Sequence, residues 1–160
     1  MSKFLTFIIF FGFITCNLNA QKQAEFGVKG GLNLTFIKVV EGGFGTNPAT
    51  EVGYYGGVFV DFKIDNGFHI QPELLYIGIS DFRFLNAPIY LKYDIENNFH
   101  ILIGPSLNYF FDFFVNKFKV RADLSIAYDF TSQLNIHMKY TIGFQEITPN
   151  GLFLGLGYRL

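Results

Sequence analysis

Three histidines, His69, His100 and His137, are the side chains best placed by type for proton transfer or metal ligation in this chain. His69 and His100 each follow a tight turn by one position, and His137 falls nearer the middle of a later segment. The three are 31 and 37 positions apart, so none has a second histidine at the i, i+2 or i, i+4 spacing of a metal site, and the mature chain has no thiol to complete one. The one set that could make a nucleophile and base is Ser125 with His137 and Asp123, as a lipid-modifying enzyme would require near a membrane boundary. Such pairs also arise by chance wherever a polar interior is built. Gly30-Gly31 and Gly42-Gly43 lack the following Lys-Ser/Thr and helix of a phosphate loop. The sequence therefore assigns no catalytic, cofactor-binding or metal residue, and the histidines read as interior or rim groups of a larger architecture.

That architecture is written in a period of two. In residues 25–36, Phe26, Val28, Leu32, Leu34 and Phe36 share one parity, whereas Glu25, Lys29, Asn33 and Thr35 share the other. Alternation of this kind marks a strand with one apolar face. It recurs in residues 54–64, 68–79, 84–95, 99–111, 118–130, 134–144 and 152–160, which gives eight strands. Asp65-Asn66-Gly67, Glu96-Asn97-Asn98 and Thr131-Ser132-Gln133 read as tight hairpin turns whose residues accept positive φ. The connections between them are 37–53, 80–83, 112–117 and 145–151, and most are longer. Short turns on one side and longer loops on the other are the periplasmic and extracellular asymmetry of outer-membrane barrels. Loop 38–50 is Gly-rich and would lie outside the cell, where binding usually resides, although a plain connector has the same composition.

Composition agrees. Half of the 160 residues are hydrophobic and 16% are charged, below the roughly 25% charged share of soluble domains. Yet after position 20 no apolar run reaches the roughly 18 residues of a membrane helix. Apolarity without long runs fits strands that cross hydrocarbon, and closure into a barrel is needed because open edges would leave backbone groups unsatisfied there. Strand charges fall on the non-apolar parity, with Arg83 at a loop rim as the exception. They include Lys29, Asp61, Glu73, Lys92, Asp94, Arg121, Asp123, Asp129, Lys139 and Arg159, with signs nearly balanced. A narrow lumen holding them calls for an ion-paired network, with inward glycines (27, 31, 57, 104, 143, 155 and 157) leaving room for long charged side chains. Aromatic residues on the apolar parity cluster near strand ends, as interfacial girdles would. Pro72, Pro88 and Pro105 fall inside strand patterns, where a proline usually marks a bulge or an end. The mirror solution, a soluble lipocalin-like carrier with the apolar parity inside, has the same alternation.

Residues 1–20 have the three parts of an export signal: Lys3, an apolar stretch at 4–14, and Asn19-Ala20-Gln21 for cleavage after Ala20. The rival is lipidation at Cys16, the single cysteine, but Phe13-Ile14-Thr15 lacks the small residues such a site needs. Residues 21–160 then form one barrel domain. A net charge of −1 without a basic run speaks against nucleic acid as a partner.

Phe26-Gly27-Val28-Lys29-Gly30-Gly31-Leu32-Asn33 resembles the opening strand of the PorT-like outer-membrane β-barrel proteins common in Bacteroidetes. Gly57-Val58-Phe59, Ile70-Gln71-Pro72-Glu73-Leu74-Leu75-Tyr76, Pro88-Ile89-Tyr90-Leu91-Lys92-Tyr93, Gly104-Pro105 and Gly155-Leu156-Gly157-Tyr158-Arg159-Leu160 are similar to later parts of that family. Leu160 stands where such barrels usually carry an aromatic residue, and the 80–83 connection is shorter than theirs. The resemblance implies fold and outer-membrane location. It implies little chemistry: most members have no assigned activity, and the founding member is linked to protein secretion across the outer membrane. Together these readings give an all-β, eight-stranded antiparallel up-and-down transmembrane barrel behind a signal peptide, exported to the cell outer membrane. The expected role is non-enzymatic, structural or surface-interacting, without cofactor, and monomeric. The expected partners are outer-membrane lipids, the outer-membrane assembly machinery and an unknown extracellular or secretion-system partner. A narrow solute pore is the main rival role. N-terminal sequencing of the envelope protein should begin at Gln21; a lipid-modified N-terminus at Cys16 would mean the other processing route.

Overall fold

The computed structural model describes residues 24–40, 46–111, 117–144 and 150–160. Eight antiparallel strands follow one another around a closed barrel. They are β1 (Ala24–Val40), β2 (Thr46–Asp65), β3 (Phe68–Ile79), β4 (Phe82–Glu96), β5 (Phe99–Phe110), β6 (Phe118–Asp129), β7 (Leu134–Gly143) and β8 (Asn150–Arg159). β1 pairs with β2 on one side and with β8 on the other, Gly27 opposite Arg159 through Phe36 opposite Asn150, and that seam removes the sheet's edges. The signal-peptide reading, Cys16 and Ala20 among it, lies outside the described residues, as do 112–116 and 145–149 of the expected loops.

The longest expected loop is mostly strand. β1 and β2 remain paired from Ala24 opposite Phe62 to Val40 opposite Thr46, so only 41–45 of the 37–53 connection lies outside the described residues. β8 leaves β1 at Phe36, and β3 meets β2 only from Gly53 onward. The hairpin thus runs past its neighbours at the loop side. The three prolines do not end their strands either. Pro72 pairs with Ile89, Pro88 with Ser106 and Pro105 with Ala122, and the register on either side of each is unchanged. The register shifts lie elsewhere, between Lys63 and Asp65 and between Asp94 and Glu96, beside the tight turns. Positive φ is used sparingly: Gly67 takes it in its turn, and Ser80 does so between β3 and β4, whereas Asn66, Asn97 and Asn98 do not.

Parity decides the two faces. Phe26, Leu32, Val58, Ile89, Ile103, Val120 and Leu156 point outward and keep about half their surface or more exposed. The ring pairs Phe68–Tyr93, Tyr109–Phe118 and Tyr128–Phe130 sit on the same face near strand ends, with centroids 4.8, 4.9 and 5.5 Å apart. An apolar wall of this kind continues around the sheet, and it is the reverse of a lipocalin-like carrier, whose apolar parity would be inside. The inward parity carries the buried polar residues, among them Asn33, Asp61, Asn86, Asn108, Asp123 and Thr141.

Inward glycines make room for rings and an amide, not for the long charged side chains the sequence suggested. A Cβ on Gly27 would meet the Phe59 ring, one on Gly155 the Tyr55 hydroxyl and the Gly30 carbonyl, and one on Gly157 the Asn135 amide at 2.6 Å. At Gly57 and Gly104 it would meet a backbone carbonyl of the next strand. Gly155→Ala should therefore destabilise the barrel by about 1–3 kcal/mol, since neither the carbonyl nor the packed phenol can move aside cheaply. Gly157→Ala should cost less, because a side-chain amide can turn away. Urea-induced unfolding of both variants in lipid vesicles measures the difference.

Candidate functional site

The inward parity of eight strands converges on a lumen too narrow for bulk water, so its polar atoms must satisfy one another. Most of them do so, in layers. The layer nearest the tight turns is a belt of alternating acids and bases. Lys92 Nζ donates to Asp61 Oδ2 (2.6 Å), and Asp61 Oδ1 faces His69 Nδ1 (2.6 Å). His69 Nε2 lies 3.1 Å from Asp94 Oδ2, and Asp94 Oδ1 lies 2.6 Å from His100 Nδ1. His100 Nε2 is 3.1 Å from Asp129 Oδ2, to which Arg159 Nη2 donates at 2.7 Å. Arg159 Nε closes toward Glu25 Oε2 at 3.5 Å, an ion-pair contact without hydrogen-bond geometry. The chain of contacts takes in every strand except β7.

His69 on β3 and His100 on β5 are on strands that share no ladder, and their spacing offers no reason to connect them. Asp94 on the strand between them reaches both rings. The third histidine is elsewhere: His137 Nε2 meets Tyr55 Oη at 2.5 Å, across the lumen from β7 to β2. Among the described residues no three His, Cys, Asp or Glu side chains are arranged to hold a metal ion.

The middle layer also ties non-adjacent strands. Lys29 Nζ on β1 donates to Glu73 Oε1 on β3 at 2.5 Å, and Gln71 Nε2 donates to the same oxygen at 2.7 Å. Lys139 Nζ on β7 donates to Asn86 Oδ1 on β4 at 2.8 Å and stands 3.5 Å from Asp123 on β6. Asp123 further accepts from Ser106 Oγ (3.0 Å) and Tyr90 Oη (3.2 Å). Ser125 Oγ donates to the Met138 carbonyl at 3.0 Å. The Ser125, His137 and Asp123 set thus faces one lumen, but each member is bonded to a different partner. Asp123 is held by Lys139, Ser106 and Tyr90, His137 by Tyr55, and Ser125 by backbone.

Toward the loop side an apolar cluster enters the lumen. Tyr55, Leu75, Ile77, Ile79, Phe84, Phe110 and Phe153 pack as one buried cluster. Phe84 and Phe110 stack at 4.6 Å, and the Arg121 guanidinium lies 5.7 and 5.4 Å from their ring centres. Its Nε and Nη2 have no hydrogen-bond partner among the described residues, so the rings supply the stabilising negative face. Lys139 stands over Phe153 at 4.2 Å in the same way. The charge inventory pointed to the lower network and missed this plug. Its signal was nevertheless present: Leu74-Leu75-Tyr76-Ile77 and Phe110-Phe111 are apolar on both parities.

Comparisons with known proteins agree with this geometry. Residues 19–80 match the family model described as outer membrane protein beta-barrel domain. The Ail protein of Yersinia pestis, solved in complex with the heparin analogue sucrose octasulfate, superposes with a TM-score of 0.56 at 14% identity, over 86% of this chain and 99% of that one. Ail in a phospholipid bilayer nanodisc gives a TM-score of 0.53 at 11% identity over 86% and 100%. A designed transmembrane β-barrel gives 0.53 at 14% identity over 86% and 93%. At these identities the likeness is one of fold. No curated protein sequence matches the chain.

The Lys29–Glu73 pair is almost wholly out of solvent. Glu73→Leu should cost up to about 3–5 kcal/mol by leaving a buried ammonium without its carboxylate. The Lys29→Met/Glu73→Leu double variant should recover most of that loss in the same unfolding assay, because both charges are then gone.

Proposed function

We propose that this chain is a small outer-membrane barrel with no enzymatic activity, whose lumen is closed and whose role is structural or lies at the cell surface. The carrying observation is the pairing of a continuous outward apolar wall with a lumen filled from end to end. The wall suits hydrocarbon and its aromatic ends suit the two lipid interfaces. Inside, the acid–base belt, the cross-lumen network and the aromatic plug follow one another. The match of residues 19–80 to an outer-membrane barrel model supports the location, as does the export signal read in residues 1–20. In this reading the three tight turns face the periplasm, and the extended β1–β2 hairpin is the part that reaches furthest outside. Its partners are outer-membrane lipids and the barrel assembly machinery. A monomer is expected because closure leaves no strand edge within the barrel wall. The sequence motifs favour the PorT-like group of barrels, although nothing in the lumen speaks for passage of a protein. Ail's complex with a heparin analogue is an instance of ligand binding by a barrel of this fold. It makes the exposed hairpin the place to look first for a surface partner.

Two measurements test this. In the native host the protein should pellet with outer membranes and shift its mobility in SDS gels on boiling; a soluble periplasmic protein with no shift would overturn the location. In planar bilayers the purified barrel should show no discrete openings, and repeated openings of uniform size would make it a narrow pore. For the enzymatic rival, Ser125→Ala and His137→Gln should leave lipid A composition unaltered.

A further inference from the structure

Between the belt and the middle layer the lumen holds a cavity of about 20 Å³. That is enough for a water molecule, which needs about 10–15 Å³ measured in this way and two to four polar partners. Lys29, Lys92, Asp129, His137 and Arg159 contribute to its wall. Two of these carry atoms with no hydrogen-bond partner among the described residues, Asp129 Oδ1 and His137 Nδ1, on residues whose exposure is 8% and 4%. Burying a polar atom without a partner is costly, so two of them on residues that line one cavity need an explanation.

The direction of the Tyr55–His137 hydrogen bond follows from counting donors. If the imidazole donated to Tyr55, the phenol proton and the Nδ1 lone pair would both lack partners. If the phenol donates to Nε2, the neutral ring carries its proton on Nδ1 and presents one donor to the cavity. The cavity then shows an N–H from β7 and a carboxylate oxygen from β6. An anion is opposed by Asp129, and a cation by the Nδ1 proton together with Lys29 and Lys92. A molecule that accepts from one and donates to the other satisfies both.

We propose that this cavity is a structural water site, in which the water accepts from His137 Nδ1 and donates to Asp129 Oδ1. It joins the belt to the middle layer: Asp94, His100, Asp129, water, His137 and Tyr55 become one hydrogen-bonded chain, ending at the apolar plug. Magic-angle-spinning NMR of the full barrel in lipid vesicles, with 15N-labelled histidine, tests it. His137 should appear as the Nδ1–H tautomer with a cross-peak from water protons to that nitrogen. Ala127 also lines the cavity, and Ala127→Leu should abolish the cross-peak while the His69 and His100 resonances persist. If Ala127→Leu does not fold, Ala127→Val is the smaller filler, and the wild-type spectrum decides by itself. A folded wild type whose His137 carries its proton on Nε2, or whose Nδ1 has no water contact, overturns the proposal.

Discussion

Backbone N–H and C=O groups have no partner in hydrocarbon, and the rest of this molecule follows from that constraint. It forces the eight strands to close, with β8 against β1. Closure at so small a strand number leaves a lumen that side chains must fill. Because side chains alternate along a strand, the residues that fill it and the residues that face outward are chosen together. Each strand therefore carries two unrelated sequences, one matched to an apolar surround and one to the opposite wall of the barrel.

Several of the inward contacts join strands that are not neighbours in the sheet. Lys29 reaches from β1 to β3, Lys92 from β4 to β2, Lys139 from β7 to β4 and Tyr55 from β2 to β7. These contacts hold strands that share no ladder, so they resist flattening of the barrel as well as neutralising charge. Most of the groups are out of solvent. Removing one member of a pair therefore costs more than the pair itself contributes, because the remaining charge keeps its desolvation penalty. Glycine placement follows the same logic: Gly27 and Gly155 lie where Phe59 and Tyr55 cross the lumen.

Strand number, order and facing were legible in the sequence because alternation is a local signal, and the tight turns fixed the hairpins. The 46–52 segment was misread as loop because Thr46-Asn47-Pro48-Ala49-Thr50-Glu51-Val52 lies beyond the neighbouring strands and lacks their alternation. The plug was missed for a related reason: a strand apolar on both parities has no period to detect. The histidines show a different limit. His69 and His100 are 31 positions and two strands apart, and what joins them is the length of the Asp94 side chain on the strand between. Such a contact depends on barrel curvature, which residue spacing does not encode.

The order of the layers has a physical reason. The belt lies near the tight turns, where Glu25 and Asp94 retain contact with solvent and the acid–base chain is partly hydrated. Arg121 lies deeper, against Phe84 and Phe110, with two guanidinium nitrogens unpaired among the described residues. Replacing those rings with small side chains would remove its stabilising π faces and open space beside a buried cation, which water would then enter. The aromatic plug thus does two things at once. It shields a cation two of whose nitrogens have no hydrogen-bond partner among the described residues, and it fills the space that water would otherwise enter toward the loop side. A barrel of the same strand number with a polar residue at Phe84 or Phe110 would lose both together, which ties the closed state of the lumen to the packing of a single guanidinium.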